Sequence, residues 1–559
     1  MGCCDSREEQ SKIDSRKKSM LREPQFIKRR TRKHKTLSGD QLTNRPLNGR
    51  YIDTQCSTLD IDPIAIRAAT PSVNKHISYE PNRAQTPSLH IRRNNRRRTT
   101  VASRGSFVIS VPQAIRVNYE TVKTLFHGEL GEIILAKDKR TGLLRVTKEI
   151  KKKFLKDTSV SQFLKEVESL KELDHPNTIK MYEIIDSEDS YYFVLEYLMG
   201  GNLASKFSFG YITEQEAGYY IRSIVEAVIY CHNSGIIHKN IRPENILFES
   251  KTDDEVLKLT GFEFDWKIPR GYLKGELVEY LAPEIINGSG ATRASDIWSI
   301  GVLLYRMIFG KVPFSGVDSD DVYKSMEYGL ILNQDILTLY SEHIRDLLKK
   351  ILIFDPNKRI SAIEILNHPW IKEFGYQKES SFKYNYQQIA RIPQFYNRNE
   401  IEKAVLIFTN SQIPNANEER DYIKLFKRLN KDHSGFIHKN DLMDFIRRTK
   451  PKHYKEIDYD LQQMDLLDET QIKFSELETA MTDWNLQVHK DRVTTALKIC
   501  LKNDKNYLSL YNVIQRMPSV DSEKWARLFK NVDKNGDGKL SIEEFISCLA
   551  RVKSTHRKN

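Results

Sequence analysis

The sequence predicts an α+β architecture in two folded parts behind a long basic tail. Three observations predict it. β-rich stretches such as Glu132-Ile133-Ile134-Leu135-Ala136 and Tyr191-Tyr192-Phe193-Val194-Leu195 precede long helical patterns. Further on, the pattern becomes helix–loop–helix, and the last loop carries oxygen-bearing side chains at alternate positions. Ahead of both, the chain up to about residue 115 is polar, broken by Pro, Ser, Thr and Asn, and without periodicity, as in disordered segments.

Composition agrees with two or three domains in 559 residues. Hydrophobic residues make up 39% and charged residues 29%, enough for real cores in a soluble chain. The six cysteines show neither a metal spacing nor a disulfide framework, which fits a reducing compartment. No apolar run reaches the roughly 18 residues of a membrane span, and the N-terminus lacks the apolar core of a signal peptide. The net charge of +13 is unevenly placed: residues 1–118 carry +14, leaving the remainder at −1.

The tail therefore holds the basicity, and its first residues suggest where it goes. Met1-Gly2-Cys3-Cys4-Asp5-Ser6 matches the pattern for myristoylation of Gly2, with Cys3 and Cys4 as palmitoylation candidates. One myristoyl chain holds a membrane marginally, so a second signal is needed. The cysteines supply one and the basic run from Lys12 to Lys35 another, at about 1 kcal/mol per cation near an anionic leaflet. The expected partner is an anionic membrane surface. The expected location is the cytoplasmic face of a plasma or ciliary-type membrane, with a cytosolic pool. Nucleic acid is not expected, because the arginines at 92, 93 and 96–98 have no folded motif behind them.

Between about 116 and 372 many motifs occur in a fixed order. Lys148 stands in Arg145-Val146-Thr147-Lys148, Glu166 on a helix, Leu195-Glu196-Tyr197 after a strand, His238 to Asn245 in a loop, then Ala282-Pro283-Glu284, Asp296-Ile297-Trp298, Arg359 and His368-Pro369-Trp370. In this order the stretch resembles a Ser/Thr protein kinase. The resemblance implies a two-lobed fold. It implies that Gly128, Gly131, Lys148, Glu166 and Asn245 face a nucleotide, with Lys148 and Glu166 as an ion pair. Arg359 is expected to pair with Glu284.

The positions that carry chemistry depart from that family. Its catalytic loop, H-R-D-L-K-P-E-N, here reads His238-Lys239-Asn240-Ile241-Arg242-Pro243-Glu244-Asn245. Asn240 stands at the base, and a neutral amide cannot hold the proton that a carboxylate accepts; general-base catalysis is typically worth about 10²–10⁴-fold. Arg242 replaces the lysine that steadies the transferred phosphate. The D-F-G triplet reads Gly261-Phe262-Glu263, so the main magnesium-binding carboxylate is gone. Phe126 replaces the first glycine of the phosphate loop. No Ser or Thr lies between Phe262 and Glu284 to be phosphorylated. Leu170, Met181, His238 and Phe262 are retained and fall on the apolar column that joins the two lobes of such domains. The sequence thus keeps ATP as a candidate ligand and makes magnesium a poor one.

The second folded part, 419–552, follows a segment at 373–418 whose helix, around 397–408, resembles the junction helix of calcium-dependent protein kinases. In that family the helix occupies the kinase domain until calcium withdraws it. The last loop matches the EF-hand pattern in full: Asp533, Asn535 and Asp537 offer side-chain oxygens, Lys539 its carbonyl, Ser541 a side chain or water and Glu544 two oxygens, with Gly538 at the sharp turn. The first loop offers Asn430, Asp432, Ser434, Phe436 (by its carbonyl) and Asp441, with only two carboxylates. The second, Asp465–Glu476, and the third, around Asn503–Asn512, lack ligands and read as packing partners.

From 119 to 552 the chain resembles calcium-dependent protein kinases, with residues 553–559 as a short tail. The implied cofactor is calcium. The leading expectation is a monomeric, calcium-responsive, membrane-anchored pseudokinase acting through protein partners that the sequence does not identify. The alternatives are a slow Ser/Thr kinase under calcium control and a structural or calcium-buffering cytoskeletal component.

Overall fold

A computed structural model describes residues 109–547 apart from several segments, among them 208–211, 252–255, 263–274, 333–339, 377–385, most of 450–470, 502–506 and 534–538. Gly2, Cys3, Cys4, Asn535 and Asp537 lie outside the described residues. The elements described below fall within one compact unit, residues 63–331 and 343–559.

Six strands form the first lobe: β1 (Ile109–Pro112), β2 (Tyr119–His127), β3 (Glu132–Asp138), β4 (Leu144–Lys151), β5 (Met181–Asp186) and β6 (Ser190–Glu196). Their order is β1-β5-β6-β4-β3-β2. Every neighbouring pair is antiparallel except β1 and β5, which run parallel. β1 falls inside the stretch read as unstructured tail. Its Ile-Ser-Val-Pro sequence alternates β-branched residues and ends in a proline, which an edge strand tolerates. Helix α1 (Asp157–Lys171) buries Phe163 and Val167 against Ile184, Tyr191 and Phe193 of the sheet.

The second lobe is helical. Helix α2 (Glu214–Asn233) starts at a reciprocal cap between Thr213 and Glu216 and is buried at every position from Ser223 to His232. The short hairpin β7 (Ile246–Phe248) and β8 (Leu257–Leu259) follows the catalytic-type loop. Helix α3 (Arg293–Phe309) is largely buried and stops at Gly310, whose φ of +70° suits a left-handed cap. The expected Glu284–Arg359 pair is present, bidentate at 2.7 and 2.8 Å.

The C-terminal part comprises α4 (Glu400–Gln412), α5 (Ala416–Leu429), α6 (Lys439–Thr449), α7 (Phe474–Met481), α8 (Leu486–Lys498), α9 (Leu510–Arg516) and α10 (Ser522–Val532). Loops pair through two-residue strands: β9 (Ile437–His438) with β10 (Gln471–Ile472), and β11 (Leu508–Ser509) with β12 (Lys539–Leu540). The ligand-poor loops thus pack beside the others, as expected of EF-hand pairs.

Helix α4 departs from the expectation that it lies on the kinase-like domain. Residues 404–412 are all buried, and Val405, Ile407 and Phe408 share one core with Tyr422, Phe426, Phe474, Trp525 and Phe545. Ala404 to Phe408 are apolar through more than a full helical turn and so need enclosure all round, which the EF-hand helices provide. At its end the Gln412 carbonyl accepts a hydrogen bond of 2.6 Å from Arg145 of β4.

Candidate nucleotide cleft and calcium loops

A cleft of about 480 Å³, counting its open mouth, lies between the lobes. Ile133, Val146, Leu195, Leu198 and Leu247 give it apolar walls, and Lys148, Thr260 and Gly261 lie among its lining residues. Strand periodicity places Val146 and Lys148 on one face of β4. The size and lining suit a flat heteroaromatic group, as expected where a kinase domain takes ATP.

The Lys148–Glu166 pair does not form. Glu166 Oε1 lies 3.5 Å from Lys239 Nζ, and Lys148 makes no ion pair among the described residues. Lys239 replaces the arginine of the catalytic loop and has a φ of +69°, rare for a residue with a side chain. Asp296 holds this loop by accepting from the backbone N–H groups of His238 and Lys239, both at 2.9 Å. The turn so fixed presents Lys239 to α1.

The backbone of Asn240 and the side chain of Arg242 likewise have structural partners. The Asn240 backbone carbonyl accepts from Asn245 Nδ2 at 2.8 Å. Arg242 Nε donates to Glu244 at 2.6 Å, and both residues are buried. Gly261 has a φ of +76°, and a Cβ built there would overlap the Asn245 side chain. Asn245 therefore fills the space in which a carboxylate at 261 would begin. At the two motif positions that are described, 245 and 261, the remaining donor for a magnesium ion is one amide oxygen, in a side chain already tied to the loop. Magnesium demands several hard oxygen ligands in near-octahedral order, and Asn245 and Gly261 do not supply them.

The phosphate loop is altered too. A Cβ on Gly128 would lie 2.6 Å from the Phe126 ring, which is folded over the turn closed by Gly128 N–H and the Gly131 carbonyl at 3.1 Å. Gly131, at φ +154°, passes against the Glu149 carbonyl with no room for a side chain.

The inter-lobe column is intact. His238 and Phe262 rings lie 4.4 Å apart, and Leu170 packs with Phe262 on one side and beside Met181 on the other. His238 is fully buried and bonds the Thr260 carbonyl at 2.8 Å; burial lowers its pKa to about 4, so it is neutral.

In the last calcium loop, Asp533 follows α10, and Glu544 Oε2 accepts from the backbone and hydroxyl of Ser541 at 2.9 and 3.0 Å. The donor set Asp533, Ser541 and Glu544, with the Lys539 carbonyl, is hard oxygen throughout and fits calcium. In the first loop the donors already have partners. Asn430 Oδ1 accepts from Gly435 N–H at 3.3 Å, Asp432 accepts from Ser434 and meets His438 at 3.0 Å, and Asp441 pairs with Lys431. Phe436, expected to lend its carbonyl, packs its ring against Tyr230 of α2.

Sequence motifs did not reveal a buried charge cluster where the two parts meet. Lys180 pairs with Glu419 of α5, and Lys258 lies 3.0 Å from Glu196 and 3.5 Å from Glu419. Asp174 accepts from the Ser475 hydroxyl at 2.6 Å, and Arg516 pairs with Glu183 at 2.7 Å. These partners are far apart in sequence and belong to no motif; long-range charge pairing has no local signal.

Comparison with known proteins agrees with this architecture. The protein kinase domain family matches residues 119–371, and the EF hand domain family matches residues 524–552. The chain is 30% identical over 474 residues to calcium-dependent protein kinase 4 of Plasmodium falciparum (isolate 3D7), covering 80% of this chain and 89% of that one. It is 27% identical over 450 residues to calcium-dependent protein kinase 34 of Arabidopsis thaliana, covering 78% and 85%. It is 32% identical over 345 residues to calcium-dependent protein kinase 2 of Oryza sativa subsp. japonica, covering 60% and 66%. With its two-lobed domain, its paired EF-hands and these relatives, the chain belongs to the calcium-dependent protein kinase family.

Proposed function

We propose that this protein is a calcium-responsive pseudokinase held at the cytoplasmic face of a membrane, acting through calcium-dependent shape change and partner binding. One observation carries the loss of transfer: Asn240 and Gly261 stand where two carboxylates are needed, and the Asn245 side chain fills the space beside Gly261. A base and a metal grip are missing together, while Glu284–Arg359 and the Leu170–Phe262 packing support the fold.

Calcium responsiveness rests on the last loop. The withdrawn position of α4 inside the EF-hand core gives a bistable element for calcium to bias. Hydrogen exchange over residues 397–411 should change on adding calcium, and unchanged protection there counts against the switch. Membrane anchoring rests on Gly2, Cys3 and Cys4 and the basic tail. Gly2→Ala should move the protein from sedimenting membranes to the soluble fraction; retention on membranes sinks the anchor. Loss of phosphoryl transfer is tested with purified full-length protein, magnesium or manganese, and labelled ATP.

Family membership and Lys148 in the cleft support a second reading, a slow kinase. It predicts transfer that Lys148→Met abolishes.

A further inference from the structure

The first EF-hand loop lies against the kinase-like domain. The Phe436 ring is 5.9 Å from the Tyr230 ring, and Phe436 packs into the cluster that contains Leu170, Tyr230 and Phe262. Gly435, at φ +86°, passes so close to Tyr230 that a Cβ would overlap its ring. Beside this contact, Lys427 and His433 face the buried Glu226 of α2 at 3.5 and 3.6 Å, and Lys427 donates to Ser223 at 2.9 Å. An apolar ring, a glycine, an ammonium and an imidazole thus meet one face of α2.

The same loop is poorly supplied for a divalent cation. Its two carboxylates face basic neighbours: Asp432 meets His438 and Asp441 meets Lys431. Calcium affinity rises with the negative charge a loop concentrates, and here one of only two carboxylates, Asp441, is already paired with Lys431.

We propose that the first EF-hand loop is a metal-independent plug. It ties the EF-hand part, through Tyr230, to the packed column containing Leu170 and Phe262, and calcium acts through the last loop alone. The calcium half of this proposal rests on the calcium-responsive reading above; the plug stands on the contacts at Tyr230 and Glu226. It gives the EF-hand part a constant footing on α2, so that movement at the last loop is transmitted to the kinase-like domain without losing the attachment.

Full-length protein stripped with chelator and titrated calorimetrically with calcium should bind one calcium per chain. Asp432→Ala should leave that stoichiometry unchanged and Glu544→Gln should abolish it. A second calcium that disappears in Asp432→Ala overturns the proposal. If the wild type binds no calcium at all, the calcium half falls together with the reading of the last loop.

The plug is tested separately by hydrogen exchange in chelator. Phe436→Ala keeps the backbone carbonyl a metal would use but removes the ring. It should raise exchange roughly tenfold in residues 223–230 and 430–441, with or without calcium. Gly435→Ala should do the same. Exchange in Phe436→Ala equal to wild type overturns the plug.

Discussion

Glu166 and Lys239 face each other at 3.5 Å, helix to catalytic loop, where a kinase would join its helix glutamate to the strand lysine. The exchange fastens α1 to the lower lobe and leaves Lys148 in the cleft without an acidic partner among the described residues.

A double-mutant cycle tests this exchange. The Glu166→Gln and Lys239→Met cycle should give a coupling of about 0.5–1 kcal/mol in denaturant unfolding, since the pair is only partly exposed. The Glu166→Gln and Lys148→Met cycle should give none. The reverse ranking contradicts the exchange.

Gly261 should resist repair. A side chain there must adopt a left-handed φ and displace Asn245, whose amide bonds the Asn240 carbonyl. Gly261→Ala should destabilise by about 1–3 kcal/mol. Adding Asn245→Ala should recover part of that loss. A neutral Gly261→Ala in thermal unfolding shows that the space is open after all.

Nucleotide binding, if measured by thermal shift with ATP, should not depend on magnesium. Among the described residues the cleft offers apolar walls and the Lys148 ammonium, and the one carboxylate on its lining, Glu196, is already held by Lys258 and by the Lys180 backbone N–H. A shift that appears only when magnesium is added contradicts the reading of Gly261.

The charge cluster between the two parts predicts a pH effect at Glu478 of α7. Its pKa is raised to about 7, chiefly by burial, with Glu419 and Asp174 acting in the same direction and Lys180 and Lys258 opposing. A carboxyl with a raised pKa holds a proton in the folded state that the unfolded chain has released. Its contribution to stability is therefore present below about pH 4.5 and lost as pH rises to about 7. Buried His175 and His238, lowered to about 3 and 4, act in the opposite sense as pH falls. The stability of Glu478→Gln relative to wild type should therefore grow between pH 5 and 8. A difference that stays flat across that range removes Glu478 from the account.

The fold was legible because its signals are local. Glu284 and Arg359, His238 and Phe262, and the paired EF-hand strands stand where motif order places them. The strand at 109–112 escaped because four residues of edge pairing depend on β5, which lies distant in the chain. The capture of Glu166 by Lys239 escaped because it depends on one left-handed backbone angle. The contacts of Phe436 and of Glu419 escaped because they join parts roughly two hundred residues apart in a chain whose local pattern is an ordinary EF-hand. The losses at Asn240 and Gly261 were readable as residue types; the Asn245 side chain filling the gap was not.

The most direct measurement is phosphate transfer by purified full-length protein in saturating calcium, with labelled ATP and either magnesium or manganese. The account predicts incorporation into protein or peptide indistinguishable from a Lys148→Met control. Transfer at rates of about 1 per second or more, as ordinary kinases achieve, abolished by that same substitution, would contradict it.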